Sequence, residues 1–307
     1  MFHRNSTFRH LAIVALLLAM SLCASPPTAK AQAPKQSVDI FMGLDFNFRD
    51  IHFETQYDFL IRLTPGFKWN MGNHWQLSGQ VMFPILNQYG YEYSFFQVNA
   101  LNISKEFNIK SLYLKATAGA FSHNRYGLDL KAFLPLCEWF AFEGQAGYVG
   151  SVYVSPYWEI VAPNRFVGRL GGDIYLSRWN TQLRGVIGKY LYGDIGLEGE
   201  AMRHFNHTTV SMYGRWNNKF GLDAGFRVVI MLPPYHRKQR VVNFRPASNW
   251  RMSYSMMVRE YSHQMYRTDP EENERDGWFS RDLLLWGSHT MEPDFIIKEK
   301  TKKNETP

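Results

Sequence analysis

The chain has 307 residues, 45% hydrophobic and 16% aromatic but only 20% charged, which excludes a disordered chain. After Ala24 no apolar run reaches the roughly 18 residues that a transmembrane helix needs, so a helical membrane bundle is excluded. Two cysteines exclude a disulfide scaffold and a cysteine-rich zinc site, and the formal charge of +7 is modest.

Residues 1–31 read as a cleaved secretory signal peptide. Arg4, Arg9 and His10 form a positive start, Leu11 to Ala24 is apolar, and Ala29-Lys30-Ala31 places small residues before Gln32. Cys23 follows Leu22, which is not small, so lipidation there is not expected. Removing Arg4, Arg9 and Lys30 takes the formal charge from +7 to +4, too little for a nucleic-acid partner. Residues 32–37 read as a linker.

From Val38 onward the pattern has period 2, the mark of strands with two unlike faces. Ile40, Met42, Leu44, Phe46 and Phe48 alternate with Phe41, Gly43, Asp45, Asn47 and Arg49. Twelve such segments are expected near 38–49, 56–69, 75–83, 91–106, 109–121, 126–135, 139–153, 165–177, 180–191, 195–205, 208–217 and 222–233. Their length exceeds the roughly 5–6 residues of a soluble strand and fits the roughly 9–11 of a tilted membrane strand. The fold class is therefore all-β: a transmembrane antiparallel up-and-down barrel of about twelve strands over 38–233, with a C-terminal extension over 234–307.

Alternate turns, at 70–74, near 107–108, at 135–138, 178–180 and 206–207, are short, and Trp69, Trp75, Phe107, Trp139, Trp179 and Phe205 lie beside them. Tyr89, Tyr91, Tyr126, Tyr190 and Tyr192 lie beside the other turns, one of which is the longer loop Ser155 to Asn164 carrying Tyr157-Trp158. Two interfacial aromatic girdles are expected, the first facing the periplasm. In the extension, His236 to Arg240 is basic, 249–261 is a further amphipathic strand left outside the wall, Thr268 to Asp276 reads as an acidic solvated loop, and Lys298 onward as a mobile tail.

Charged and amide side chains opposite the apolar stripes must face inward, since a cation at mid-bilayer costs about 2–4 kcal/mol. The expected lumen set is Asp45, Asn47, Arg49, Lys115, Asp129, Lys131, Glu143, Gln145, Arg169, Asp173, Gln182, Arg184, Glu198, Glu200, Arg215, Asp223 and Arg227. In a wet lumen, Asp173→Ala or Arg184→Ala leaves the barrel assembled. No G-x-S-x-G, H-E-x-x-H or P-loop pattern occurs, so the chain is expected not to be an enzyme and to need no cofactor or metal. His204 and His207 straddle a hairpin turn and read as exposed turn residues.

Within 165–233 stand Gly171-Gly172-Asp173, the run Gly188-Lys189-Tyr190-Leu191-Tyr192-Gly193-Asp194, Arg203-His204-Phe205, Gly225-Phe226 and a closing Pro233. In order and spacing this stretch resembles the YjbH-like family of outer-membrane exopolysaccharide and capsule proteins. The resemblance implies an outer-membrane barrel in polysaccharide secretion or assembly, with the bilayer, the polymer and periplasmic or lipoprotein export components as partners. A plain channel or an anchoring barrel of a secretion machine, and a lipid-modifying enzyme, are the alternatives. Physically, Gly193-Asp194 suits a tight hairpin, and Arg203 suits the headgroup level or a pair with Glu200.

Overall fold

The computed structural model describes residues 36–50, 57–109, 112–137, 139–153, 159–205, 208–219, 221–232, 241–256 and 266–270. The expected leader, linker start, Tyr157-Trp158, His207, Pro233, the basic run and the tail lie outside the described residues.

Twelve long strands follow one another as antiparallel neighbours. They are β1 Ser37–Arg49, β2 Asp58–Gly72, β3 Trp75–Asn87, β4 Gln97–Ile109, β5 Leu112–Phe121, β6 Arg125–Cys137, β7 Phe140–Tyr153, β8 Glu159–Leu176, β9 Thr181–Lys189, β10 Ile195–His204, β11 Thr208–Asn217 and β12 Gly221–Met231. Period-2 alternation places them well, and the largest differences are at two starts. Tyr91–Tyr93 is a 3₁₀ turn before β4, because Gly90 at φ 130° breaks the extended chain. β8 begins at Glu159, so the expected long loop is largely strand despite Pro163.

The ring does not close between β12 and β1. β13 Val242–Pro246 and β14 Asn249–Ser255 intervene. β14 pairs antiparallel with β12, Val228 opposite Met252, and parallel with β1, Asp45 opposite Arg251. β13 continues the same parallel seam along Val38–Met42. β13 and β14 thus fill one place in the ring, so among the described residues the wall is 13 strands around, and the expectation of twelve with 249–261 outside it is corrected over 249–255. Twelve up-and-down strands would bring β12 antiparallel to β1. The thirteenth strand makes the first and last run the same way, so the seam must be parallel.

Outside and inside are inverted relative to a soluble protein. Leu170, Met212 and Leu222 are 69%, 71% and 71% exposed, whereas Asp173 and Gln182, on the opposite face, are 0% exposed. An apolar exterior over a polar interior is the arrangement that lipid demands of a barrel. No described helix is long and apolar enough to cross a membrane. The end of the barrel where β1 starts has tight turns, with Asn73 and His74 both at positive φ, and its rim carries exposed Trp69, Trp75, Phe107, Trp139, Trp179 and Phe205. At the other rim Tyr91 and Tyr192 are exposed, but Tyr190 is turned inward and buried, so the second girdle is thinner than expected. Across the seam an outward aromatic row joins Phe59, Phe48, Tyr254 and Phe226, with Phe226 stacked on Tyr254 at 5.2 Å.

At Gly225 a side chain has no room: a Cβ would lie 2.0 Å from the Tyr254 carbonyl and 2.7 Å from the Tyr213 ring. Gly185, facing lipid, has nothing within 4 Å of that position. Gly225→Ala should therefore destabilise by about 1–3 kcal/mol, as overpacking does. Gly185→Ala should stay within about 0.5 kcal/mol. Urea unfolding followed by tryptophan fluorescence in detergent checks both, and equal effects contradict the seam. Ile174→Arg places a cation on the lipid face at about 2–4 kcal/mol. It should abolish heat-modifiable gel migration or lower its midpoint; unchanged migration contradicts the inward and outward assignment.

Candidate functional site: the barrel lumen

The inward side chains meet in three clusters. Beside the seam, Arg62 donates to Asp45 at 2.5 Å and Asn47 donates to it at 2.6 Å, while Arg251 lies 3.8 Å from the same carboxylate. Ser253 donates to Asn47, and Ser255 to Asp223 at 2.9 Å. Arg49, at the rim, bridges Asp58 at 2.9 Å, the Tyr89 carbonyl and the Tyr89 ring.

The second cluster spans β7 to β12. Arg184 pairs with Glu143, Arg227 with Glu200 at 3.1 Å, and Arg215 stands 3.8 Å from Glu198. Gln182 donates to Asp173 at 2.7 Å and lies 3.3 Å from His204, whose other ring nitrogen meets Thr209 at 3.0 Å. His204 is 2% exposed, so the expectation of an exposed turn histidine is corrected. It is the last residue of β10 and its parity points it inward.

The third cluster is on β4 to β6. Lys115 and Lys131 are direct cross-strand partners on the inner face. Like charges so placed repel. Asp269 resolves this, its two carboxylate oxygens lying 2.6 Å from Lys115 and 3.3 Å from Lys131. Asp269 belongs to a strap, Tyr266 to Pro270, inside the lumen. Tyr266 stacks on Phe121 at 5.5 Å and donates to Asp129 at 2.5 Å. Arg267 and Ser122 exchange hydrogen bonds, and Asn102 donates to the Thr268 carbonyl at 2.6 Å. The expectation of a solvated loop from Thr268 is thus corrected over the described part: Thr268 is 1% exposed. Its polar composition suits a polar lumen as well as it suits water.

All the expected lumen residues face inward; Arg169 and Arg215 are half-buried and the charged remainder buried. The structure adds Arg62 and Arg251, each in phase with inward neighbours on its strand, and Tyr266 and Asp269, which carry no periodic signal. Among the residues of the resemblance, Gly193 adopts φ 74° in the β9–β10 turn, whose ends join through Tyr190 N to the Asp194 carbonyl. Asp194 is fully buried and accepts from Asn217. Gly188 is buried and Lys189 exposed at the end of β9, while Phe205 is exposed at the rim. Arg203 donates to Thr181 at 3.3 Å, while Glu200 pairs with Arg227; the expected Arg203–Glu200 pair does not form.

No family model and no curated protein matches the chain. Among solved structures it is similar to OmpTdeltaL8, the loop L8 deletion mutant of OmpT, an outer membrane protein of Vibrio cholerae. Identity is 10%, 64% of this chain and 88% of that chain are covered, and the TM-score is 0.34. The expectation that the chain is not an enzyme is withdrawn. That expectation rested on linear motifs, whereas a barrel assembles groups from separate strands, as Asp173, Gln182, His204 and Thr209 are assembled here.

The lumen pairs are too buried for the wet-lumen expectation to hold. Arg184→Ala leaves Glu143 buried without its cation and should cost about 3–5 kcal/mol. Glu143→Leu in the same chain should recover most of that loss. Urea unfolding in detergent measures both, and a single variant as stable as the parent would contradict the pairing.

Proposed function

We propose that the protein is an outer-membrane barrel, exported through its 1–31 leader, that takes part in exopolysaccharide or capsule secretion. The observation that carries this reading is the lumen: charges of both signs, amides and hydroxyls line it from β1 to β14, and a segment of the chain itself occupies it. Strong ion selectivity uses rings of one charge. A mixed lining suits a hydrophilic chain that presents both hydroxyls and ionised groups. The resemblance over 165–233 points to the same class, with the bilayer and periplasmic or lipoprotein export components as partners.

The occupied lumen favours one second reading. The strap is bonded to three wall strands inside it. An anchoring barrel of a secretion machine fits that state. Deleting the gene should lower secreted or surface polysaccharide while uptake of a small hydrophilic dye stays near normal. Normal polymer with reduced dye uptake would reject export and leave a plain channel; normal values for both would leave the anchoring barrel of another machine.

A further inference from the structure

The strap has the chemistry of a ligand. Its carboxylate sits between Lys115 and Lys131, its aromatic ring lies on Phe121, and its hydroxyl donates to Asp129. Two lysines, 3% exposed each, face each other directly across β5 and β6, like charges that repel. Glu106 of the wall stands 3.9 Å from Lys115, and the strap carboxylate reaches both lysines at closer range. Next to them Thr117 and Asp129 are also cross-strand partners. The Thr117 hydroxyl and the second Asp129 oxygen are buried, and neither has a hydrogen-bond partner among the described residues. Buried polar atoms are normally satisfied, so this pair has capacity that the strap leaves unused.

We infer that the lumen face of β5 and β6 is a binding site for an acidic oligosaccharide, which the Tyr266–Pro270 strap occupies in its absence. Lys115 and Lys131 take a sugar carboxylate, Asp129 and Thr117 take hydroxyl groups, and Phe121 takes the apolar face of a ring. Phe121 stands six positions beyond Lys115 on β5, roughly 20 Å at about 3.4 Å per residue. That span calls for several linked sugars rather than one. The choice of a saccharide rests on the export reading; the choice of an anion rests on the lysine pair alone. The strap competes with the ligand, so ligand entry and strap release are one event.

The test uses the full-length protein in detergent micelles, with trigalacturonate as probe and maltotriose as its neutral counterpart, followed by titration calorimetry. Asp269→Asn weakens the strap without touching the wall. It should raise trigalacturonate affinity about tenfold or more and leave maltotriose unchanged. Adding Lys131→Gln should remove the gain. Heat-modifiable migration confirms that each variant is folded. In the unaltered protein, saturating trigalacturonate should speed trypsin cleavage after Arg267, which needs no variant. An affinity that Asp269→Asn does not change, an equal rise for both sugars, or cleavage that trigalacturonate does not accelerate would each overturn the site. Lost polymer in the deletion strain with no trigalacturonate binding would sink the site alone. Normal polymer with binding intact would sink the export reading alone.

Discussion

A backbone amide or carbonyl facing hydrocarbon has no water to bond, so a sheet in a bilayer must have no open edge. The rest of this wall is a way of meeting that condition with an odd number of strands. The β1 edge is covered by β14 and, further along, by β13, both parallel to it. Parallel pairing is slightly weaker per residue than antiparallel. The outward row of Phe59, Phe48, Tyr254 and Phe226 lies across this joint, and aromatic packing there adds stability where the hydrogen-bond ladder is least favourable. Gly225 serves the same joint from inside, letting β12 and the Tyr213 ring approach the last strand closely.

The second condition concerns charge. Polar groups excluded from the lipid face crowd into a narrow lumen, where each must find a partner. Cross-strand register supplies several directly: Arg49 opposite Asp58, Arg62 opposite Asp45, Arg215 opposite Glu198. Where register sets two lysines side by side, Glu106 of the wall stands 3.9 Å from one of them and the strap carboxylate reaches both. The interior is thus a set of paired clusters rather than a uniform polar pore.

Much of this was legible in the sequence because the alternation has only two faces. Once Leu44 is outside, Asp45 must be inside, and the same alternation, reset at each turn, sorts every later strand as far as Arg227. The features that escaped are those that do not repeat. Parity reads Asn249 to Ser255 as a strand but says nothing of its neighbour, and an expected even count kept it out of the wall. Tyr190 sits where a girdle residue would sit, yet turn geometry rotates it inward. Asp269 lies on an irregular segment, and the sign that it was needed is the Lys115–Lys131 register, which appears only when two strands are aligned.

The parallel seam also fixes how the chain is threaded. In a wall with an even count, the polypeptide enters the first strand and leaves the last at the same mouth. Here it enters and leaves at opposite mouths, because β1 and β14 run the same way. β14 therefore ends at the mouth where β5 finishes, and the strap meets Phe121 near that mouth and Lys115 deeper in. If the N-terminal side of β1 faces the periplasm, β14 ends at the cell-surface mouth. A solute entering by that mouth would then reach Tyr266 on Phe121 before it reached Lys115 and Lys131.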